Sequence, residues 1–351
     1  MRLTKGIVKI LVYIRAMQNP LVSILTPFKN VELYIEDCID SIQRQTYSNW
    51  ELVIVDDNST DSSYEIIQKY ASIDKRIKLL KNDQSGIITA LRKAFKHSIG
   101  ELITRMDSDD IMTDNKLSVM VNQLLEHGKK HIATGFVKYF SETGISDGYA
   151  KYEAWLNQLT KDGSNYSEIY KECVIASPCW MIHRDDLIAC GAFNPNRYPE
   201  DYDLTFRFYE FGYTCIPNDQ LLHLWRDYST RTSRTHEHYA QNYFLDIKLH
   251  YFLKLDHNPS RPLTVWGAGF KGKTIAKSLV EKNVKFHWIC DNKNKIGKSI
   301  YGVELQPFED LNDIPNPQTI VTVANELEQE KIRTYFSSLK MEAVKDYFFF
   351  C

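Results

Sequence analysis

From Leu21 to Met106, short apolar runs alternate with amphipathic stretches, and each apolar run ends in polar or acidic residues. Apolar runs of this length read as buried strands, the amphipathic stretches as helices that cover them, and the alternation as βαβ units of a parallel sheet. Residues 21–26 read as a strand stopped by Pro27, and Asn30 as the cap of a helix whose apolar stripe is Val31, Tyr34, Ile35, Cys38 and Ile42. Residues 52–55 form the next strand, with a helix through Tyr64, Ile67 and Tyr70 behind it. Strands at 77–80 and 102–106 flank a helix over 87–98. In open α/β sheets ligands bind beyond the carboxyl ends of the strands. The acidic clusters after Val55 and after Met106 are therefore expected to share one crevice.

Beyond Met106 the pattern loosens into a mixed strand over 132–140, a helix near 155–159, a strand at 180–183 and a helix opened by Glu200-Asp201. Asn258-Pro259-Ser260-Arg261-Pro262 reads as a linker, after which 263–266, a glycine-rich turn, a helix and 285–290 begin a second βαβ unit. A chain of 351 residues favours two cores. The expected division is a leader over 1–19, a main α/β domain over 20–257 and a small Rossmann-like α/β domain over 258–351. A net charge of −2 excludes the overall basic footprint of nucleic-acid binders. Seven scattered cysteines without a CxxC pair read as reduced thiols rather than disulfides or zinc ligands. No apolar run reaches the roughly 20 residues of a membrane span, so a cytoplasmic protein is expected. Met1–Met17 places Ile7, Ile10, Leu11 and Ile14 at helical spacing beside Arg2, Lys5, Lys9 and Arg15. That pattern suits either peripheral contact with an anionic inner membrane face or a leader helix packed on the domain.

Arg105-Met106-Asp107-Ser108-Asp109-Asp110 sets three carboxylates at a strand end. A hard divalent cation takes oxygen ligands, and Mg²⁺ or Mn²⁺ commonly binds one or two carboxylates together with substrate phosphate. A solvated acidic turn would look the same in isolation.

The cluster has company, and the whole set resembles the family 2 glycosyltransferases of the GT-A nucleotide-sugar fold. The motifs in order are Val22-Ser23-Ile24-Leu25-Thr26-Pro27, the block from Glu51 to Asp61, Gly86 with Gly100, and the Arg105–Asp110 run. The likeness covers about residues 21–233. It implies a mixed, mainly parallel sheet with helices on both faces, a UDP-sugar donor and Mn²⁺ or Mg²⁺. It further implies that Thr26 and Pro27 border the nucleotide, that Asp56 or Asp57 accepts from the uracil imide, and that Asp109 ligates the metal directly. Asp107 would lie near the ribose and the metal, with Asp110 supporting. Arg105 is either a phosphate partner or a strand-end arginine paired with a neighbouring carboxylate.

Pro199-Glu200-Asp201-Tyr202-Asp203-Leu204 resembles the Glu-Asp motif of the same family. In an inverting transfer the acceptor hydroxyl loses its proton as it attacks the anomeric carbon, and a carboxylate within hydrogen-bond reach can take it. The resemblance makes Asp201 that base and Glu200 its neighbour or an acceptor-binding group; the alternative is two acids favouring the positive end of a helix. Further on, Trp225 and Arg226 fit the family's Tyr-Arg-x-His pattern, with Arg226 on the donor side. Tyr228 stands where the histidine would be, so that its function is lost or passes to His223, His236 or His238.

Lys151–Thr160, Ser177-Pro178-Cys179-Trp180 and Val265-Trp266-Gly267-Ala268-Gly269 also resemble an animal group of these enzymes associated with galactosylation of queuosine in tRNA. The expected acceptor is a cell-surface glycan or lipid-linked sugar, and tRNA is the alternative. Trp155 and Trp180 would stack on it unless they are core tryptophans.

Gly267, Gly269 and Gly272 open the second unit, and Asp291 ends its next strand. This is the arrangement in which helix-start amides hold a pyrophosphate. The remaining length suits only part of a dinucleotide fold, so a structural or regulatory domain is expected. An NAD(P)-linked oxidoreductase and a non-catalytic nucleotide-binding protein are the rival readings.

Overall fold

The computed structural model describes residues 19–229, 231 and 243–351. The amphipathic leader and the Thr230–Ser233, His236 and His238 positions fall wholly or mainly outside these. The chain divides into two compact units, one running to Asn165 and resuming over Ile175–Arg231, the other made of Tyr166–Val174 and the chain from Thr232 onward. The division therefore precedes the expected one at 257 and adds the excursion 166–174. Aromatic packing explains the excursion: Tyr170 is 1% exposed, stacks on Phe350 at 5.4 Å and meets Phe252 and Phe348 edge-on.

The first unit begins β1 (Val22–Phe28), α1 (Ile35–Gln43), β2 (Trp50–Asp56), α2 (Ser63–Ile73), β3 (Ile77–Lys81), α3 (Ile87–His97) and β4 (Leu102–Arg105). It continues through β5 (Ile111–Met112), α4 (Lys116–His127), β6 (His131–Thr134), β7 (Phe136–Phe140), α5 (Asp147–Asp162), β8 (Trp180–His183) and α6 (Arg184–Ala189). It closes with α7 (Glu200–Glu210), β9 (Thr214–Ile216) and β10 (Leu221–Arg226). The main sheet has the order β3-β2-β1-β4-β8-β6-β9, parallel except where β8 runs against β4 and β6. A smaller sheet, β5-β10-β7, lies apart from it in the ladder pattern.

Local chemistry explains the departures from expectation. β1 passes through Pro27 because its ladder with β4 ends at Leu25, so the missing N–H breaks no bond there. Asn30 has φ +53° and its side chain accepts from the Thr60 amide, so α1 starts later, at Ile35. The expected strand over 132–140 is two strands in different sheets. Gly100 is obligatory, since a Cβ there would lie 2.6 Å from both the Leu21 carbonyl oxygen and the Ser23 nitrogen. The core gathers Ile24, Ile54, Ile39 and Met181 between the sheet and its helices. Among the described residues no helix is long and apolar enough to cross a membrane, and all seven cysteines are free thiols.

The second unit comprises α8 (Tyr243–Tyr251), β11 (Leu263–Trp266), α9 (Phe270–Glu281), β12 (His287–Cys290), β13 (Ser299–Ile300), β14 (Val303–Pro307), β15 (Gln318–Val321), α10 (Glu326–Ser338) and β16 (Tyr347–Phe349). Its sheet order is β13-β14-β12-β11-β15-β16, parallel except at β13. The five parallel strands run in the doubly wound order, which reverses beside β11. A Cβ on Gly272 would lie 2.1 Å from the Gly267 oxygen, so α9 packs tightly on the turn. That turn is braced by protein groups: Trp288 Nε1 donates to the Gly267 oxygen and Lys295 Nζ to that of Ala268, while Asp291 is exposed.

Candidate active site

The register sets Thr26 beside Ile54, Pro27 beside Val55 and Leu25 beside Arg105, so β2, β1 and β4 deliver their carboxyl ends to one edge. Thr26 is fully buried there, and its Oγ1 has no hydrogen-bond partner. Asp56 accepts the Ser59 amide at 2.8 Å through Oδ1. Asp57 is committed to the loop before α3: both its oxygens accept the Gly86 amide and Oδ1 also accepts Asn82 Nδ2 at 2.8 Å.

Arg105 resolves one of the alternatives above. Its Nε donates to Asp107 Oδ1 at 3.0 Å and its Nη1 to Glu200 Oε1 at 2.9 Å, so it pairs with carboxylates and ties the acidic loop to the start of α7. On that helix Asp201 is half-buried and Oδ1 accepts the Tyr202 amide. Burial first, then the charges of Glu200 and Asp107, raise its carboxyl to about 7 against the pull of Arg105. Asp203 is paired with Arg207 at 2.9 Å.

Asp109 Oδ2 accepts the Tyr228 hydroxyl at 2.8 Å. Burial and the neighbouring Asp110 raise Asp109 to about 7, opposed by the charge of Arg231. Asp110 is fully enclosed and receives the Arg226 amide at 2.8 Å and His223 Nε2 at 2.9 Å. Behind it Lys116 Nζ lies 3.2 Å from His223 Nδ1 and donates to the Pro178 oxygen. Because an ammonium only donates, His223 must accept at Nδ1 and carry its proton on Nε2. Burial and Lys116 hold the ring well below its usual pKa, hence neutral.

His223 therefore braces Asp110 from the core and does not take the place of the family histidine. No local pattern marks Lys116, whose partner is 107 positions away. Replacing it with methionine leaves His223 Nδ1 and a carbonyl without their donor, a loss on the order of 1–3 kcal/mol for buried polar groups left unpaired. A urea midpoint unchanged in Lys116→Met would contradict that bracing.

Arg226 is likewise an anchor. Its Nε donates to the Asp109 carbonyl oxygen at 2.8 Å, Nη2 pairs with Asp37, and its guanidinium lies over the Tyr34 and Phe140 rings. Arg231, 8% exposed over the Trp225 ring at 5.2 Å, is a further buried cation near the acids, also unforeseen. Among the described residues no three metal-ligating side chains converge.

The two acceptor tryptophans part company. Trp180 is a core residue, 3% exposed on inner strand β8 with its edge against Phe208 at 5.9 Å. It cannot stack on an acceptor without opening the sheet. Trp155 is partly buried on α5, tilted against Tyr152 at 5.7 Å.

The profile of the family described as "Glycosyl transferase family 2" matches residues 23–191. The putative teichuronic acid biosynthesis glycosyltransferase TuaG of Bacillus subtilis is 37% identical over 119 residues, 34% of this chain and 47% of its own length. The chain thus spans under half of that relative. The UDP-Glc:alpha-D-GlcNAc-diphosphoundecaprenol beta-1,3-glucosyltransferase WfgD of Escherichia coli is 32% identical over 195 residues, covering 54% of this chain and 69% of that one. Among solved structures, Staphylococcus aureus TarS 1-349 with UDP-GlcNAc has a TM-score of 0.53 at 19% identity, covering 74% of this chain and 71% of its own. The mannosyltransferase PcManGT of Pyrobaculum calidifontis, with GDP-Man and Mn2+, reaches 0.51 at 19% identity, covering 78% and 82%. At these identities the two structures share the fold.

Proposed function

The chain belongs to glycosyl transferase family 2, and we propose that it moves a sugar, with inversion, from a UDP-sugar to an acceptor hydroxyl in cell-surface glycan synthesis. The observation that carries this reading is the Arg105 bridge, which ties the acid of a donor-side loop, Asp107, to the dyad Glu200-Asp201. Donor and base are thus served by one rigid edge of the sheet.

In this reading Asp56 accepts from the uracil imide, while Asp57 holds the loop that shapes the pocket. Thr26 and Pro27 form its floor, and the partnerless Thr26 hydroxyl is the group a bound nucleotide would satisfy. The acids suit a hard divalent cation: Asp109 and Asp107 supply two oxygen donors, a number Mg²⁺ or Mn²⁺ accepts alongside phosphate oxygens and water. Such a cation would neutralise charge on the departing diphosphate. The chain's own residues do the rest. Arg226 and His223 fix the acidic loop, and Asp201 takes the acceptor proton as the new oxygen–carbon bond forms and the bond to diphosphate breaks. The WfgD and TuaG names, with UDP-Glc and teichuronic acid in them, support the donor class and the envelope-glycan setting.

The test is nucleotide release from a panel of UDP-, GDP- and dTDP-sugars, with Mn²⁺ or Mg²⁺ against chelator, followed by mass spectrometry of lipid-linked glycans and of tRNA incubated with the enzyme. Divalent-dependent UDP release with one UDP-sugar, and mass added to the glycan fraction, is the expected result. Turnover confined to a GDP- or dTDP-sugar, or mass added to tRNA alone, would replace it.

A further inference from the structure

Asp201 sits at the end of an irregular stretch that runs from Phe193 to Pro199 with Asn194 and Asn196 exposed. A base at the end of such a stretch needs something to hold it, since a misplacement of 1 Å can cost about 10²-fold in rate. At its start the holder is a side chain on α3. Arg92 Nε donates to the Phe193 oxygen at 2.7 Å, and its Nη2 donates to the Asn194 carbonyl oxygen and to Asn196 Oδ1. Two bonds to backbone oxygens and one to the Asn196 side chain, all from one planar fork, fix both the height and the direction of the stretch, which a lysine's single ammonium on a flexible stem does less well. Phe95, one turn along, meets Phe193 edge-on at 6.1 Å and covers the clamp.

The other end of the same helix belongs to the donor side. Gly86, whose amide is bonded to Asp57, immediately precedes α3, and the Tyr198 hydroxyl receives the Ile88 amide from the first turn. A helix is stiff over this length, so α3 spans the distance between the loop held by Asp57 and the loop that carries Asp201.

We infer that Arg92 is a positioning residue, whose guanidinium clamp on the Phe193–Asn196 backbone sets where the Asp201 carboxylate meets the acceptor hydroxyl. The inference rests on Asp201 being the base of the reaction proposed above. Arg92 itself touches no reacting atom.

The experiment compares Arg92→Ala, Arg92→Lys, Asp201→Asn and the double variant in the full chain, reading UDP affinity by calorimetry with Mn²⁺, transfer kinetics, and amide exchange over 193–199. In Arg92→Ala, kcat is expected to fall by roughly 10- to 100-fold, with UDP affinity within about two-fold. Added methylguanidinium should recover part of the loss, and Arg92→Lys should lie between the two. The double variant should be no slower than Asp201→Asn by more than about two-fold, because two residues acting through one group are not additive. Exchange over 193–199 should quicken in Arg92→Ala and in the double variant, and stay at the wild-type rate in Asp201→Asn. Full additivity with Asp201→Asn, an equal loss of UDP affinity, or unchanged exchange over 193–199 would each overturn the inference. Should Asp201→Asn transfer at the wild-type rate, the base assignment falls. The exchange measurement then still decides whether Arg92 holds the loop.

Discussion

Asp201→Asn is expected to lower transfer by about 10² to 10⁴, the contribution general-base catalysis usually makes, while UDP affinity stays near wild type. The substitution keeps the shape and the acceptor for the Tyr202 amide and removes only the ability to take a proton. Burial and the charges of Glu200 and Asp107 raise this carboxyl to about 7, where a base has both driving force and the right ionisation near neutrality. The sign of the pH dependence follows. The working form is the carboxylate, so kcat/KM of the wild-type enzyme should fall about tenfold per unit as pH drops below about 7, and that acid limb should be missing from the residual activity of the variant. Concomitant loss of UDP binding would move Asp201 to the donor side. Near-normal transfer would point to Glu200, although the ion pair with Arg105 argues for Glu200 as the link rather than the acceptor of the proton.

Asp109→Ala should abolish the divalent-dependent part of UDP affinity. Its carboxylate is fixed by the Tyr228 hydroxyl on Oδ2 and its backbone by Arg226 on the carbonyl oxygen. Burial and Asp110 raise Asp109 to about 7, so a proton competes with a cation for the same oxygens. Wild-type affinity for UDP with Mn²⁺ should therefore climb as pH rises towards about 7 and flatten above it, and calorimetry in buffers of different ionisation enthalpy should register released protons. A folded Asp109→Ala protein that keeps its metal-dependent affinity would remove this residue from the site.

Much of this arrangement was legible because it is local. Strand runs with acids at their ends announce both the sheet and the edge where ligands bind, and Asp56, Asp107, Asp109 and Asp201 each belong to a short motif. The supports were not legible. Lys116 meets His223 across 107 positions and Arg92 meets Asn194 across 102, and a lone Lys or Arg in a helical stretch looks like any solvated cation until the fold closes over it. Arg226 fitted its motif by position, yet its guanidinium faces Asp37 and two rings instead of open space. Trp180 stayed open between acceptor platform and core residue because nothing in its neighbours marks β8 as an inner strand. Asn30 read as a cap, since the pull of Thr60 on its side chain comes from thirty positions away.

The excursion at Tyr166–Val174 changes what kind of object the second unit is. The polypeptide leaves the first unit after Asn165, returns at Ile175 and leaves again after Arg231, so the second unit is stitched from two separated pieces of sequence. Tyr170 is the clasp, its ring among Phe252, Phe348 and Phe350 and its hydroxyl on Asp256. No single cut in the gene can excise that unit whole. Phe252 and then Phe350 are synthesised long after Tyr170, so the early piece is made well before the rings it packs among.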